Sequence, residues 1–422
     1  MQPNNAFSET RMNAAIIGGG AAGFFLAIHL KQASPQTEVT IYEKSKRPLA
    51  KVTLSGGGRC NLTNSFRDVT DLKQVYPRGA KLLKRLFNGF DHHSAYQWFE
   101  QHGVRLVTQE DACVFPQSQD AQSVVLCLTR EAQRLGVVLK TNHTLEALTP
   151  DTDAQGNSCF TLRFKEDTAH RVTAHRVAVT TGGSPHREGL HYLEQLGHPL
   201  VEPVPSLFTF NIPDPALRQL MGTVVEETQT ALAGTPFRSH GPLLVTHWGM
   251  SGPAILKLSS HAARHLAEQN YRSTLLVNWV NETHCEQVTA CLEELAQIHA
   301  QKQLASCRPY DLPARLWTHL LEKTGIAPAK RWGETGRKTI NKLVNTLTND
   351  SYTIEGRGVF RDEFVTCGGI SLKAVDARTL ESKVCPGLFF AGEVLDIDAV
   401  TGGFNFQAAW TTAYTAATAM AR

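Results

Sequence analysis

The chain has 422 residues, of which 42% are hydrophobic and 19% charged, with a formal net charge of +3 and a pI near 8.3. That length supports two or three domains with proper cores, and the near-balanced charge argues against a nucleic-acid or membrane-surface partner. Nine cysteines scattered without a C-x-x-C predict reduced thiols in a cytoplasmic protein rather than disulfides or a zinc site.

Taken in order, residues 1–11 are polar and lack an apolar core. They read as a disordered extension rather than a signal peptide. No apolar run of about 18 residues follows anywhere, so no membrane span is expected. Residues 13–30 then read as a buried strand, a glycine turn and a helix. Gly18, Gly20 and Gly23 hold the G-x-G-x-x-G spacing, with Gly19, Ala21 and Ala22 between them. In a dinucleotide site the first glycine makes the turn and the second admits a pyrophosphate. The third lets helix and strand pack closely, and the helix N-terminus faces the phosphates. About 20 residues on, a second strand ends at Glu43, where an acid hydrogen-bonds a ribose hydroxyl.

Residues 54–64, LSGGGRCNLTN, cannot form a core element. Gly56, Gly57 and Gly58 free backbone amides for an anion or carbonyl, and Arg59 adds a planar cation. The loop is expected to wrap a cofactor; a solvated turn capped by Asn is the alternative. Residues 79–102 show helical spacing, and His92 and His93 read as a connector, so no metal site is expected. Strand, helix, strand follow over 104–108, 122–135 and 137–140. Antiparallel strands over 145–148 and 160–164 have turn signals at Pro150–Asp151 and Gly156–Asn157. A buried strand from Arg176 ends in Thr181, Gly182 and Gly183, where an open parallel sheet binds its ligand.

The composition changes near Leu196, with prolines clustered at 199–215. Strand-like segments at 207–212, 223–230, 243–246 and 275–280 and helices at 254–268, 286–305, 313–324 and 335–346 predict an inserted domain. In its loop at 246–253, THWGMSGP, His247 is the candidate for proton transfer near neutral pH. The alternative there is a plain loop and helix start, with Ser251 as N-cap and Pro253 in the first turn.

The last part of the chain identifies the dinucleotide. Residues 387–393, GLFFAGE, form a short buried strand that delivers Glu393, next to Gly392, to a hydroxyl near the pyrophosphate. FAD has a ribitol chain there and NAD does not. Gly402 and Gly403 open a final helix whose amides can face the electron-rich edge of a flavin. The two ends together describe an FAD site. No second G-x-G-x-x-G follows a strand, so NAD(P)H, if used, would dock transiently as co-substrate. Cys60 and Cys367 lie in cofactor-side loops; they read as packed small residues or as redox-active thiols.

Four motifs together, SGGGRCNLTN at 55–64, THWGMSGP at 246–253, VTCGGI at 365–370 and GLFFAGEVLDID at 387–398, resemble the aminoacetone-oxidase-like, or BaiN-like, family of NAD(P)/FAD-dependent oxidoreductases. Cys367 and Ile370 depart slightly from the family pattern. The resemblance implies an α/β, Rossmann-like FAD domain with a parallel sheet, residues 13–195 and 351–422. It is interrupted by an insert over 196–350, a β-barrel (200–282) plus helices (284–350), that covers the flavin. It implies noncovalent FAD held by Gly18–Gly23, Glu43, Lys44, Arg59, Cys60, Asn61, Thr181, Gly182, Gly183, Gly392, Glu393, Gly403, Phe404 and Asn405. It also implies amine oxidation or double-bond reduction on a small-molecule substrate. A flavoprotein acting as redox sensor or partner-binding protein is the alternative, and the oligomeric state is not readable.

Overall fold

The computed structural model describes residues 12–166, 171–184, 187–358 and 365–422, so the expected N-terminal extension lies outside the described residues. The chain divides into two compact units, residues 1–204 with 365–422, and residues 205–364.

The first unit is built on a five-stranded parallel sheet. Strand β1 (Asn13–Ile17) lies between β2 (Glu38–Tyr42) and the strand Arg176–Val179, which pairs with Leu388–Phe390 at one edge. Val138–Lys140 pairs with β2 at the other edge. Helix α1 (Ala21–Ala33) crosses between β1 and β2 and is rich in Ala, Phe and Leu. Buried on most of its circumference, it behaves as a core helix, which fits a sequence that is apolar on more than one face. It packs against the final helix, Phe404–Met420, with the Phe25 and Trp410 rings 5.1 Å apart.

Several predicted elements shift for identifiable reasons. The stretch 79–102 holds two helices, Ala80–Leu86 and His92–Gln101, and His92 and His93 open the second rather than connecting the two, because Asp91 caps it by accepting from Ser94 N at 2.9 Å. Pro150 and Asp151 mark no turn; they lie inside Leu145–Thr152, an edge strand of a three-stranded antiparallel sheet, where a missing N–H is tolerated. The short strands Thr63–Asn64 and Cys113–Pro116 were not foreseen.

The second unit carries a seven-stranded sheet in the region where a small barrel is expected. Its strand pairings are antiparallel and run from Asp350–Ile354 to Gly356–Arg357, two strands that Glu355 alone separates in the chain, so the sheet curls round until its ends meet. Those two strands explain why the boundary falls after residue 364 rather than at 350: Asp350–Ile354 pairs with Ser273–Asn278. The other boundary falls after 204 rather than at 195, because Leu200–Ser206 pairs with Val365–Ile370. Helices Cys285–Ile298, Ala314–Lys323 and Arg337–Asn349 complete this unit around Trp317 and Trp332, both fully buried and stacked at 6.4 Å.

Candidate functional site

The site begins at the turn between β1 and α1. Gly18 has φ +113°, and a Cβ there would stand 2.6 Å from Thr180 O. A Cβ on Gly23 would stand 2.0 Å from Gly18 O, which is the close helix–strand contact the third glycine permits. Gly20 differs: a Cβ there would meet nothing within 4 Å. Gly20 is also the N-cap of α1, no side chain caps that end, and no acid lies in the first turn. An uncapped helix start beside open space is suited to an anion.

Glu43 stands at the end of β2 beside this turn. Its Oε2 accepts from Gly19 N at 2.7 Å, and its Oε1 accepts from Ser45 N and Oγ at 2.8 Å. The carboxylate is therefore held at the turn, with Lys44 exposed next to it.

The loop after Leu49 is tied to the same turn, since Leu49 N donates to Gly19 O at 2.8 Å. After a helical turn, Ser55 goes extended and Gly56, Gly57 and Gly58 take φ of +58°, +68° and +86°. Only glycine adopts three such conformations in succession cheaply. Arg59 lies 4.4 Å over the Phe115 ring and donates to Gly56 O and Gln119 Oε1, so it braces the loop. Cys60 is fully buried, and burial pushes its thiol up to about 12. A thiol held protonated does not act as a nucleophile at neutral pH. Cys367 is likewise fully buried.

The C-terminal residues arrive at the same place. A Cβ on Gly392 would touch Ala22 Cβ at 3.0 Å, which brings 392 beside the start of α1. Glu393 accepts from Thr366 N and from Lys51 Nζ, each at 2.8 Å. A Cβ on Gly183 would meet Thr366 Oγ1 at 2.4 Å and Glu393 Oε1 at 2.6 Å. Gly18–Gly23, Thr181–Gly183 and Gly392–Glu393 thus converge, although more than 350 residues separate their ends. Thr180, Thr366 and Lys51 complete this cluster and were missed by sequence reasoning; for the threonines the available signal was their place two residues before a glycine pair, Gly182–Gly183 and Gly368–Gly369, and Lys51 had none.

The final helix begins at Gly403, φ +86°, again with no side-chain cap and no acid in its first turn. Asn61 Nδ2 donates to Thr63 O at 3.1 Å and Asn61 Oδ1 accepts from Gly403 N at 3.2 Å. Asn64 Nδ2 donates to Gly402 O at 3.0 Å. The Asn61 and Gly403 predicted from opposite ends of the chain are therefore neighbours. Asn405 spends its side chain on Ala399, donating to its O and accepting from its N, so only its backbone is left to face a cofactor. Phe404 is buried against Phe66 and Tyr76. Beside this turn Arg78 and Asp398 form a buried ion pair, with Arg78 Nε 2.5 Å from Asp398 Oδ1 and Nη2 bonded to Oδ2. No sequence pattern announced it.

His247 lies in the second unit, exposed, in the two-residue turn between strands Arg238–Thr246 and Gly249–Ser251. Its ring stands edge-on to Trp248, with centroids 4.4 Å apart. Ser251 is not a helix cap. It belongs to the strand, and Gly252 at φ +93° precedes the helix Pro253–His261, with Pro253 as its first residue. Among the described residues no His, Cys, Asp and Glu cluster could hold a metal, and no helix is long and apolar enough to cross a membrane. All nine cysteines are free thiols.

Residues 12–419 match the model of the HI0933-like protein Rossmann domain family, and the chain belongs to that family, which consists of FAD-dependent oxidoreductases. This agrees with the resemblance drawn from the four motifs, and FAD is the cofactor that the open glycine, the two uncapped helix starts and the paired carboxylates fit. The chain is 30% identical over 418 residues to the ribosomal RNA dihydrouridine synthase of Escherichia coli, covering 96% of this chain and 97% of that protein. It is 28% identical over 419 residues to the 3-dehydro-bile acid delta(4,6)-reductase of Clostridium scindens, covering 96% and 98%. Among solved structures, the 3-ketosteroid-delta4-(5alpha)-dehydrogenase of Rhodococcus jostii matches along the full length of both chains at a TM-score of 0.50 and 16% identity, which shows the shared fold. The E. coli relative also removes the ground for excluding a nucleic-acid partner, since near-neutral net charge does not exclude one.

Proposed function

We propose that this chain is a flavin-dependent reductase that saturates a carbon–carbon double bond conjugated with a carbonyl, and that its substrate is a uridine of RNA. The observation that carries the reading is the full-length likeness to the E. coli ribosomal RNA dihydrouridine synthase. The likeness to the bile-acid reductase supports the same bond change. Uracil C5=C6 is conjugated with the C4 carbonyl, as a 4,6-diene is with a 3-oxo group, so both names describe reduction of an unsaturated carbonyl compound. This favours double-bond reduction over amine oxidation.

FAD, when bound, supplies hydride exchange between a nicotinamide and the substrate carbon. The chain's own residues do the rest. The open face of Gly20 and the start of α1 would take the pyrophosphate, and Glu43 and Glu393 would take hydroxyls at either side of it. The start of the final helix would stabilise negative charge on the ring system. Hydride addition at the carbon β to the carbonyl leaves an enolate, which takes a proton at the α carbon. His247, with an exposed ring on a hairpin tip braced by Trp248 Nε1 donating to Thr209 Oγ1, is the proposed donor. A nicotinamide docking transiently would restore the reduced state, and the cytoplasm is the setting that nine free thiols fit.

The test is nucleoside analysis of purified bacterial ribosomal RNA after incubation with the yellow holoprotein and NADPH or NADH. Dihydrouridine should form, and His247→Ala should slow product formation while FAD content and flavin reduction stay unchanged. Turnover of a 3-oxo steroid diene without dihydrouridine would move the substrate to a small molecule and keep the bond chemistry. Peroxide release from an amine, with neither unsaturated substrate consumed, would overturn the reading.

A further inference from the structure

The chain's net charge of +3 conceals a strong local imbalance. Residues 299–345 hold nine Lys and Arg against three Asp and Glu, so the rest of the chain is net negative. All of this stretch lies in the second unit.

The fold gathers these cations. Gln303 and Arg331 pair as an antiparallel bridge. Leu304 N donates to Lys330 O at 2.8 Å and Trp332 N to Lys302 O at 3.0 Å, which sets Lys302 beside Lys330 and Arg331. The buried Trp332 anchors the bridge from below, its Nε1 donating to Cys307 O at 3.1 Å, so that the exposed Arg308 follows directly. Six residues past Arg331 the chain enters the helix Arg337–Asn349, which contains no acid. Its exposed positions are Arg337, Lys338, Asn341, Lys342, Asn345 and Asn349, the face a 3.6-residue period leaves toward solvent. Thr348 and Asn349, at the far end, border a polar cleft lined also by Arg238, His240 and Asn278.

Folding does not account for these charges. Arg337 and Lys338 occupy the first turn of their helix, the end at which the macrodipole disfavours cations. Among the described residues, none of Lys302, Arg308, Lys330, Arg331, Arg337, Lys338 and Lys342 makes an ion pair; within the stretch only Lys323 does, with Asp350. A face of unpaired cations interleaved with asparagine amides is suited to a run of phosphodiesters: the cations neutralise and the amides hydrogen-bond.

We propose that this basic face, from the Lys302–Arg331 bridge along the helix Arg337–Asn349, is the surface on which RNA backbone docks. The proposal rests on the reading of the chain as an RNA-modifying reductase, and names the partner surface that this reading requires. The face contacts phosphates and leaves the base to the reductive site, so it sets affinity rather than bond chemistry.

The experiment uses the full-length FAD-loaded protein and purified bacterial ribosomal RNA. A quadruple variant, Lys302→Glu, Arg331→Glu, Lys338→Glu and Lys342→Glu, is compared with Lys81→Glu and Lys84→Glu, exposed cations of the first unit. A quadruple Gln variant guards against misfolding through added negative charge. The expected result is a loss of RNA affinity of about a hundredfold or more, and a salt dependence shallower by about three for four lost phosphate contacts. FAD content and flavin reduction by NADPH stay at the parent level, and the Lys81 and Lys84 variant binds within about threefold of the parent. Equal RNA affinity and equal salt slope in parent and patch variants would overturn the proposal, as would parent protein that binds anionic vesicles but no RNA. The underlying reading fails separately. Patch-dependent RNA binding without dihydrouridine supports the surface and defeats the reaction; dihydrouridine formation with patch-independent binding does the reverse.

Discussion

Two turns in the first unit carry the same plan and differ in what fills them. Each delivers glycines to the uncapped start of a helix, Gly18–Gly23 to α1 and Gly402–Gly403 to the final helix. The N-terminal turn keeps one glycine, Gly20, facing open space. The C-terminal turn is closed by its own chain: a Cβ on Gly403 would stand 2.2 Å from Thr63 O, and Asn61 and Asn64 bond to both glycines. A glycine can therefore serve a ligand or serve the fold, and the two uses separate under substitution.

The largest effect is expected beside the closed turn. Asp398→Ala leaves Arg78 buried without its carboxylate and should cost about 3–5 kcal/mol in urea unfolding. A paired Arg78→Met and Asp398→Leu should recover most of that. Gly403→Ala combines φ +86° with the Thr63 contact and should cost about 3 kcal/mol, with FAD content falling in step with folded fraction. Equal stability of that variant and the parent would erase the distinction between the two turns.

A pH experiment sharpens the comparison along the helices that the turns open. His29 of α1 is packed among Phe25, Phe90, Trp98 and Tyr414 of the final helix. Burial, with a smaller contribution from His102, lowers its pKa from 6.5 to about 4. The unfolded chain therefore takes up this proton first as pH falls. Stability is full above pH 6.5 and declines toward pH 4, by up to about 3 kcal/mol. His29→Phe should flatten that part of the profile in thermal melts, and an unchanged acid limb would place the sensitivity elsewhere.

The smallest stability effect belongs to the open glycine. Gly20→Ala should leave the apoprotein's melting temperature within about 2 °C of the parent. It should weaken FAD binding about tenfold, near 1.4 kcal/mol, by occupying the space beside the helix start. A large loss of apoprotein stability would show that Gly20 also serves the fold.

The glycine spacings and the two acids were legible in sequence because they need particular backbone shapes at particular strand ends. Thus the sequence pattern groups Gly18, Gly23, Glu43, Gly183 and Glu393 in one site, and the parallel sheet follows from buried strands with helices between. Arg78–Asp398 was not legible, since a pair 320 residues apart leaves no local pattern. The part that Asp350–Ile354 and Gly356–Arg357 play in the sheet of the second unit was not legible, because these strands come after the unit's helices in the chain and far from their partners Ser273–Asn278 and Phe210–Asn211. The basic face is not legible in sequence, because its cations are spread over some forty residues and the Gln303–Arg331 bridge is what brings Lys302 beside Lys330 and Arg331.

The strand Leu388–Phe390 pairs in parallel with Arg176–Val179, across more than 200 residues. During synthesis, then, the second unit leaves the ribosome whole while the first still lacks a sheet edge and the helix that covers α1. Phe25 and Ile28, fully buried in the finished protein, stay without that cover until the last helix emerges. Long-range parallel pairing closes slowly, so the nascent first unit is the part of this chain most in need of a chaperone. Only once the helix Phe404–Met420 has emerged can the first unit grip its cofactor from both sides, and FAD supply from that point should govern how much of the protein matures.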